Sequence, residues 1–204
     1  MKTYLYFIAS LLFIMCTNED VMDKTIFIPD ENDDNLPAYT EWGYNSFGAK
    51  YERLYFLATN ADVPCKITYQ DGMLNFYLKG ELRSDAEKYY YQREDMTLMF
   101  SFPSNQILTY AGLVSLHNVQ IDLQDASIRA TIERDNNVTD LAPQKGRLFF
   151  KRAQLLYIDG RVDRVILSGY FDMQFLINGK PERISDGRFD LGINNDFYYF
   201  KVGS

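Results

Sequence analysis

Apolar and polar residues alternate with a period of two along much of this chain, most regularly over residues 164–193. Val165, Leu167, Gly169, Phe171, Met173, Phe175 and Ile177 share one parity, and Ser168, Tyr170, Asp172 and Gln174 share the other. Asn178-Gly179 then reverses the chain, because this dipeptide tolerates the positive φ angles of a two-residue hairpin turn. On the return, Phe189, Leu191 and Ile193 alternate with Arg188 and Asp190. Side chains two apart lie on the same face of a strand, so the pattern predicts a long antiparallel ribbon with one buried side.

The same period recurs upstream. Residues 47–58 read as a first strand rich in aromatics. Residues 67–70, a turn at Asp71-Gly72 and residues 73–82 predict a hairpin with Leu74, Phe76, Leu78 and Leu82 inside and Asn75, Lys79 and Glu81 outside. Met96, Leu98, Phe100 and Phe102 alternate up to Pro103, after a polar stretch, 83–92, expected to be a loop. Residues 104–117 could hold one short helix. Val119, Ile121 and Leu123 form one alternating set, and Ala126, Ile128, Ala130 and Ile132 another. A turn at 135–137 precedes a strand over 147–158, closed by Asp159-Gly160, and 197–200 completes an edge.

These are about ten short strands with no sustained helical period, and strands that bury one face each belong to antiparallel sheets. The expected fold is all-β: an antiparallel β-sandwich, with a closed or partly open β-barrel as the alternative. At 204 residues, 47% apolar and 16% aromatic, one domain with a substantial core is expected, over residues 41–204. The formal charge of −7 argues against nucleic acid as a partner, since phosphate recognition needs a basic surface.

The first fifteen residues have the form of a targeting segment: Lys2, then an apolar run from Tyr4 to Met15 that is short for a membrane span. Cys16 follows directly, ahead of the polar Thr17-Asn18-Glu19-Asp20. A cysteine closing a short apolar run resembles a bacterial lipoprotein signal, in which cleavage precedes the cysteine and its thiol is acylated. Leu12 and Met15 depart from the usual spacing, with Leu four residues before the cysteine and no small residue just ahead of it. Residues 16–40, with the acidic run 30–35, are expected to be a solvated tether. Asp30, Asn32, Asp34 and Glu41 have the spacing of calcium-loop ligands, but Asn35 replaces the turn glycine and Pro37 removes a backbone donor, so calcium binding is not expected.

LPAYTEWGYNSFGAKYER (36–53), KGRLFFKRAQLLYIDG (145–160) and LSGYFDMQFLINGKPERISDGRFDLGI (167–193) together resemble uncharacterised cell-envelope lipoproteins of Bacteroidota. The resemblance implies a signal, an acidic tether and a β-sandwich-like domain on the outer membrane. Glu19-Asp20 also resembles the signal that sends such lipoproteins to the cell surface. No catalytic or binding residues come with it.

Candidate chemistry is sparse. His117 is the only histidine, which argues against a zinc site and a serine triad and suits a hydrogen-bonded structural residue. If Cys16 is acylated, Cys65 has no partner for a disulfide, and its apolar surroundings suit a small buried side chain. Gly179-Lys180 lacks the rest of a phosphate loop. Asn137-Val138-Thr139 fits a glycosylation acceptor, and 28 acidic residues offer too many carboxylate pairs to single out a glycosidase dyad. No metal, cofactor or catalytic residue is implied. What remains is aromatic: Trp42 and Tyr44 beside the tether, and Tyr89, Tyr90 and Tyr91 in a predicted loop, could stack on sugar rings. Such rings can equally fill a core or shield strand edges. The leading expectation is a non-enzymatic envelope lipoprotein with a binding or assembly role, partnered by the membrane and by a glycan or another envelope protein. A carbohydrate-binding accessory protein of a glycan-uptake system comes second, and a glycosidase-like enzyme third.

Overall fold

The computed structural model describes residues 24–59, 64–84, 93–104, 107–195 and 199–203. Twelve strands occupy most of them: β1 (Ser46–Tyr51), β2 (Leu54–Leu57), β3 (Cys65–Gln70), β4 (Met73–Ser84), β5 (Glu94–Pro103), β6 (Val119–Asp122), β7 (Arg129–Arg134), β8 (Asn137–Asp140), β9 (Ala142–Ile158), β10 (Arg161–Ile177), β11 (Lys180–Ile193) and β12 (Phe200–Val202). A 3₁₀ helix spans Tyr110–Leu116, inside the stretch expected to hold a short helix. The hairpin turns at Asp71-Gly72, Asp135-Asn136, Asp159-Gly160 and Asn178-Gly179 have positive φ at both central residues, the type I′ geometry that matches strand twist.

One sheet runs in the order β6-β9-β10-β11-β1-β2-β4-β5-β7-β8 without closing into a barrel. All its pairs are antiparallel except β12, which adds in parallel to β3. Strand β4 is the corner. Its first half pairs with β3 and its last four residues with β2, and Gly80 lies between, where a side chain would meet the Leu57 carbonyl. The sheet doubles over there into two facing layers. Phe76 on β4 packs against Phe150 on β9 and Phe189 on β11, with ring centroids 5.5 and 5.2 Å apart, and Phe100 on β5 meets Phe171 on β10 at 5.9 Å. Edge and tilted contacts of this kind suit aromatic quadrupoles, so the all-β, sandwich-like architecture rests on an interlocked phenylalanine core.

The inward faces read from alternation hold for Leu74, Phe76, Leu78 and Leu82, for Met96 to Phe102, and for Val165 to Phe175. Two differences have local causes. The single strand expected over 47–58 is a hairpin, β1 and β2, turned at Glu52-Arg53 with Glu52 at φ 54°. No Gly, Asn, Asp or Pro marks that turn; the available signal was the change of parity between Tyr51 and Phe56, both buried. On β9, a bulge opposite Gly169 shifts the buried set from Leu148 and Phe150 to Ala153, because an extra residue flips every side chain beyond it.

A third difference is larger. Residues 24–45 form a two-legged strap on the outer face of the sheet, joined by Ile26 N–H to Tyr44 C=O (2.8 Å), Ala38 N–H to Ile28 C=O (2.7 Å) and Asp30 N–H to Leu36 C=O (2.9 Å). Within the described residues, the run expected to be a solvated tether is therefore packed. Leu36 is 0% exposed, and Pro37 sits where a side chain on Gly48 would be. Arg188 holds Asp30 at 2.5 Å and Lys50 holds Asp33 at 2.6 Å, so sheet cations neutralise two of the acids that made the run look solvated. The strap also corrects the expectation of one-sided burial. Under it, Ile166, Ser168, Asp190 and Gly192, all on the outward parity, are buried as well.

Candidate functional site

The polar centre of the strap is Asp190 on β11, which is 1% exposed. Its Oδ2 accepts from Thr40 Oγ1 (2.5 Å), Trp42 N (3.1 Å) and Tyr44 N (3.2 Å), and its Oδ1 from Gly43 N (2.8 Å) and Ser168 Oγ (2.8 Å). Three backbone N–H groups converging on one carboxylate form an anion nest, here filled by a side chain of the same chain. Gly43 at φ 75° allows the turn that aims them inward. Beside it, Asn45 Oδ1 accepts the Gly192 N–H at 2.9 Å. Residues 40–45 are thus fixed to β10 and β11 from beneath.

From this anchored loop Trp42 projects, 70% exposed, while Tyr44 is half-buried. Just before it, Tyr39 stacks on Tyr170 with centroids 4.4 Å apart and planes 22° apart, and Lys151 Nζ lies 4.7 Å above the Tyr39 ring. The Tyr39 hydroxyl donates to Glu41 at 2.9 Å, and Glu41 also takes Arg152 (2.9 Å) and Lys151 (3.4 Å). Burial, and then the Glu41 carboxylate, push the Tyr39 phenol up. Burial works to raise Glu41, but the Tyr39 hydroxyl and the two cations outweigh it and leave its carboxyl below the ordinary value. Asp30 is lowered first by the Asn32 N–H and then by Arg188; Asp33 is lowered by Lys50 and Asn35 against its own burial.

These directions fix the sign of an acid effect. A carboxyl lowered by folding adds stability above its unfolded pKa and loses it as pH falls through the folded value. Docking of the strap should therefore be unaffected near neutral pH and weaken below about pH 4. The Trp42 emission, followed during an acid titration, should change in that range before the far-ultraviolet signature of the sheet does. Simultaneous loss of both would show that the strap has no separate acid sensitivity.

A second feature is an open polar groove of about 690 Å³ lined in part by Thr59, Lys79, Arg93, Asp95, Thr97 and Glu133. Its Glu94 is held by Arg134 through two contacts of 2.5 Å, which lowers the carboxyl. Tyr89, Tyr90 and Tyr91, like Cys16, lie outside the described residues. Trp42 and Tyr44, by contrast, do share one loop. Glu41 and Asp30, two of the calcium-like spacing, engage different cations in different places. His117 Nδ1 accepts the Ala153 N–H at 3.2 Å and joins the 3₁₀ helix to β9. Cys65 is free and fully buried, and burial pushes its thiol up. Among the described residues no group of three potential metal ligands converges, and no helix is long and apolar enough to cross a membrane.

Reading parity alone missed Asp190, since it places that residue on the solvent side. The usable signal was the Thr40-Glu41-Trp42-Gly43 stretch, whose glycine suits a turn that presents backbone donors. Comparison of the chain with protein-family models, curated proteins and solved structures found no match.

Proposed function

We propose that this chain is a non-enzymatic, lipid-anchored protein of the bacterial cell envelope whose β domain serves binding or assembly. The observation that supports the binding role is Trp42. A large indole stands 70% exposed on a loop immobilised by the Asp190 carboxylate, so little conformational entropy is lost when a partner packs against it. Attachment rests on Cys16 at the close of the apolar run. If Cys16 is acylated, the protein fractionates with membranes and Cys16→Ala releases it or stalls its processing. An intact mass showing an unmodified chain cut elsewhere would refute the anchor.

The binding role is tested at the loop. Trp42→Ala should change stability by under about 0.5 kcal/mol, because the ring fills no core space. A photo-crosslinking residue at position 42 should give adducts in cells, to a protein, a glycan or a lipid, and the same residue at the exposed Gln174 should give none. Equal labelling at both sites would argue against a specific surface.

The groove favours carbohydrate as a second reading. Its lining mixes charged and hydroxyl side chains suited to sugar hydroxyls, and Tyr89, Tyr90 and Tyr91 precede its Arg93 in sequence. Polysaccharides in an affinity gel should then retard the protein, with retardation lost on replacing the three tyrosines or Trp42 by Ala. Absence of retardation across a broad panel would set this reading aside.

A further inference from the structure

The strap carries an apolar strip that the fold covers only in part. Ile26, Phe27 and Ile28 follow one another on its first leg, and 44%, 39% and 41% of their surfaces are exposed. Three large apolar residues in succession on an extended leg expose both of its faces. The strip is held in place by the backbone bonds of Ile26 to Tyr44 and of Ala38 to Ile28, so it is a fixed feature of the surface. Through the first of those bonds it adjoins the loop bearing Trp42.

We infer that Ile26, Phe27, Ile28 and Trp42 form a contact surface for the lipid bilayer, seating the domain against the membrane that anchors it. The inference rests on the acylation of Cys16 proposed above. From Cys16 to Lys24 there are eight chain steps, at most about 28 Å when fully extended. An acyl anchor at Cys16 therefore keeps the strip within a short distance of the interface at all times. Such tethering makes a contact that would be too weak on its own effective, by raising its local concentration. The residue types fit the occupant: aliphatic side chains and Phe enter the acyl boundary, and Trp prefers the headgroup level. The strip itself is uncharged; Lys24 stands just before it, but Glu19, Asp20 and Asp23 also lie on the anchor side, so the apolar side chains and not charge set the orientation. Asp30 and Asp33 are already paired with Arg188 and Lys50, which lessens repulsion from anionic headgroups.

Trp42 is the only tryptophan and reports directly on the contact. The full-length lipoprotein, purified from membranes, would be reconstituted into phosphatidylethanolamine–phosphatidylglycerol vesicles carrying brominated acyl chains, which quench indoles at short range. We expect loss of Trp42 emission relative to unbrominated vesicles and a shift to shorter wavelength. The triple change Ile26→Ser, Phe27→Ser, Ile28→Ser should abolish both effects while the protein still sediments with the vesicles. Phe27→Glu alone should do the same if the triple variant disturbs the strap, as near-ultraviolet dichroism would reveal. Unquenched Trp42 in protein shown by mass to be acylated and bound to vesicles would overturn the contact. An unacylated Cys16 would instead overturn the attachment on which it depends.

Discussion

Asp190→Ala is expected to destabilise the domain by about 3–5 kcal/mol, since it leaves several buried donors without an acceptor. The carboxylate takes five hydrogen bonds at once, three of them from the backbone N–H groups of Trp42, Gly43 and Tyr44. Truncation removes every one and leaves those donors desolvated under the strap. Asp190→Asn should be almost as harmful despite its matching shape. Each carboxylate oxygen faces at least one backbone N–H, which cannot accept, so an amide NH₂ must point at an N–H whichever way it is flipped, even where the Thr40 or Ser168 hydroxyl turns to accept. Urea unfolding of the two variants measures both costs. An asparagine variant as stable as the parent would show that the nest tolerates a donor. Separately, hydrogen exchange should reveal lost protection at residues 26–44 in either variant, since the strap and the nest stand together.

Phe171→Ala is expected to cost about 3–5 kcal/mol, by removing a large ring from a core that cannot collapse around the void. Phe171 is 1% exposed and meets Phe100 across the two layers and Phe189 on the neighbouring strand, with centroids 5.9 and 6.5 Å apart. Gln174, three residues on and facing outward beyond the strap, should lose under about 0.5 kcal/mol as Ala. The contrast tests the inner and outer faces of β10. Equal costs at the two positions would mean that the ribbon is covered on both sides along its whole length.

Much of the fold could be read from the chain because its determinants are local. A type I′ turn needs two adjacent residues that accept positive φ, and Asp71-Gly72, Asp159-Gly160 and Asn178-Gly179 announce it. A buried sheet face needs only a period of two, and Leu74 to Leu78 or Phe171 to Phe175 display it over a few residues. Those rules break where a turn has no special residue, as at Glu52-Arg53, and where a bulge resets the parity, as between Phe150 and Ala153.

The candidate site was only half visible. An isolated tryptophan beside a glycine could be noticed, but what fixes it in place could not. Asp30 and Asp33 read as solvated charges because their partners Arg188 and Lys50 lie on other elements, distant in sequence. Asp190 reads as a solvent-facing residue of an alternating strand, and alternation is silent about what lies on the outer face. Sequence alone thus determined the strand and turn grammar and the phenylalanine core. Tertiary structure decided that the acidic stretch folds back as a strap, that Asp190 is buried, and that Trp42 is presented on a rigid loop. Period and turn chemistry act between near neighbours, whereas covering the outer face joins groups nearly 150 residues apart, and no local pattern encodes that pairing.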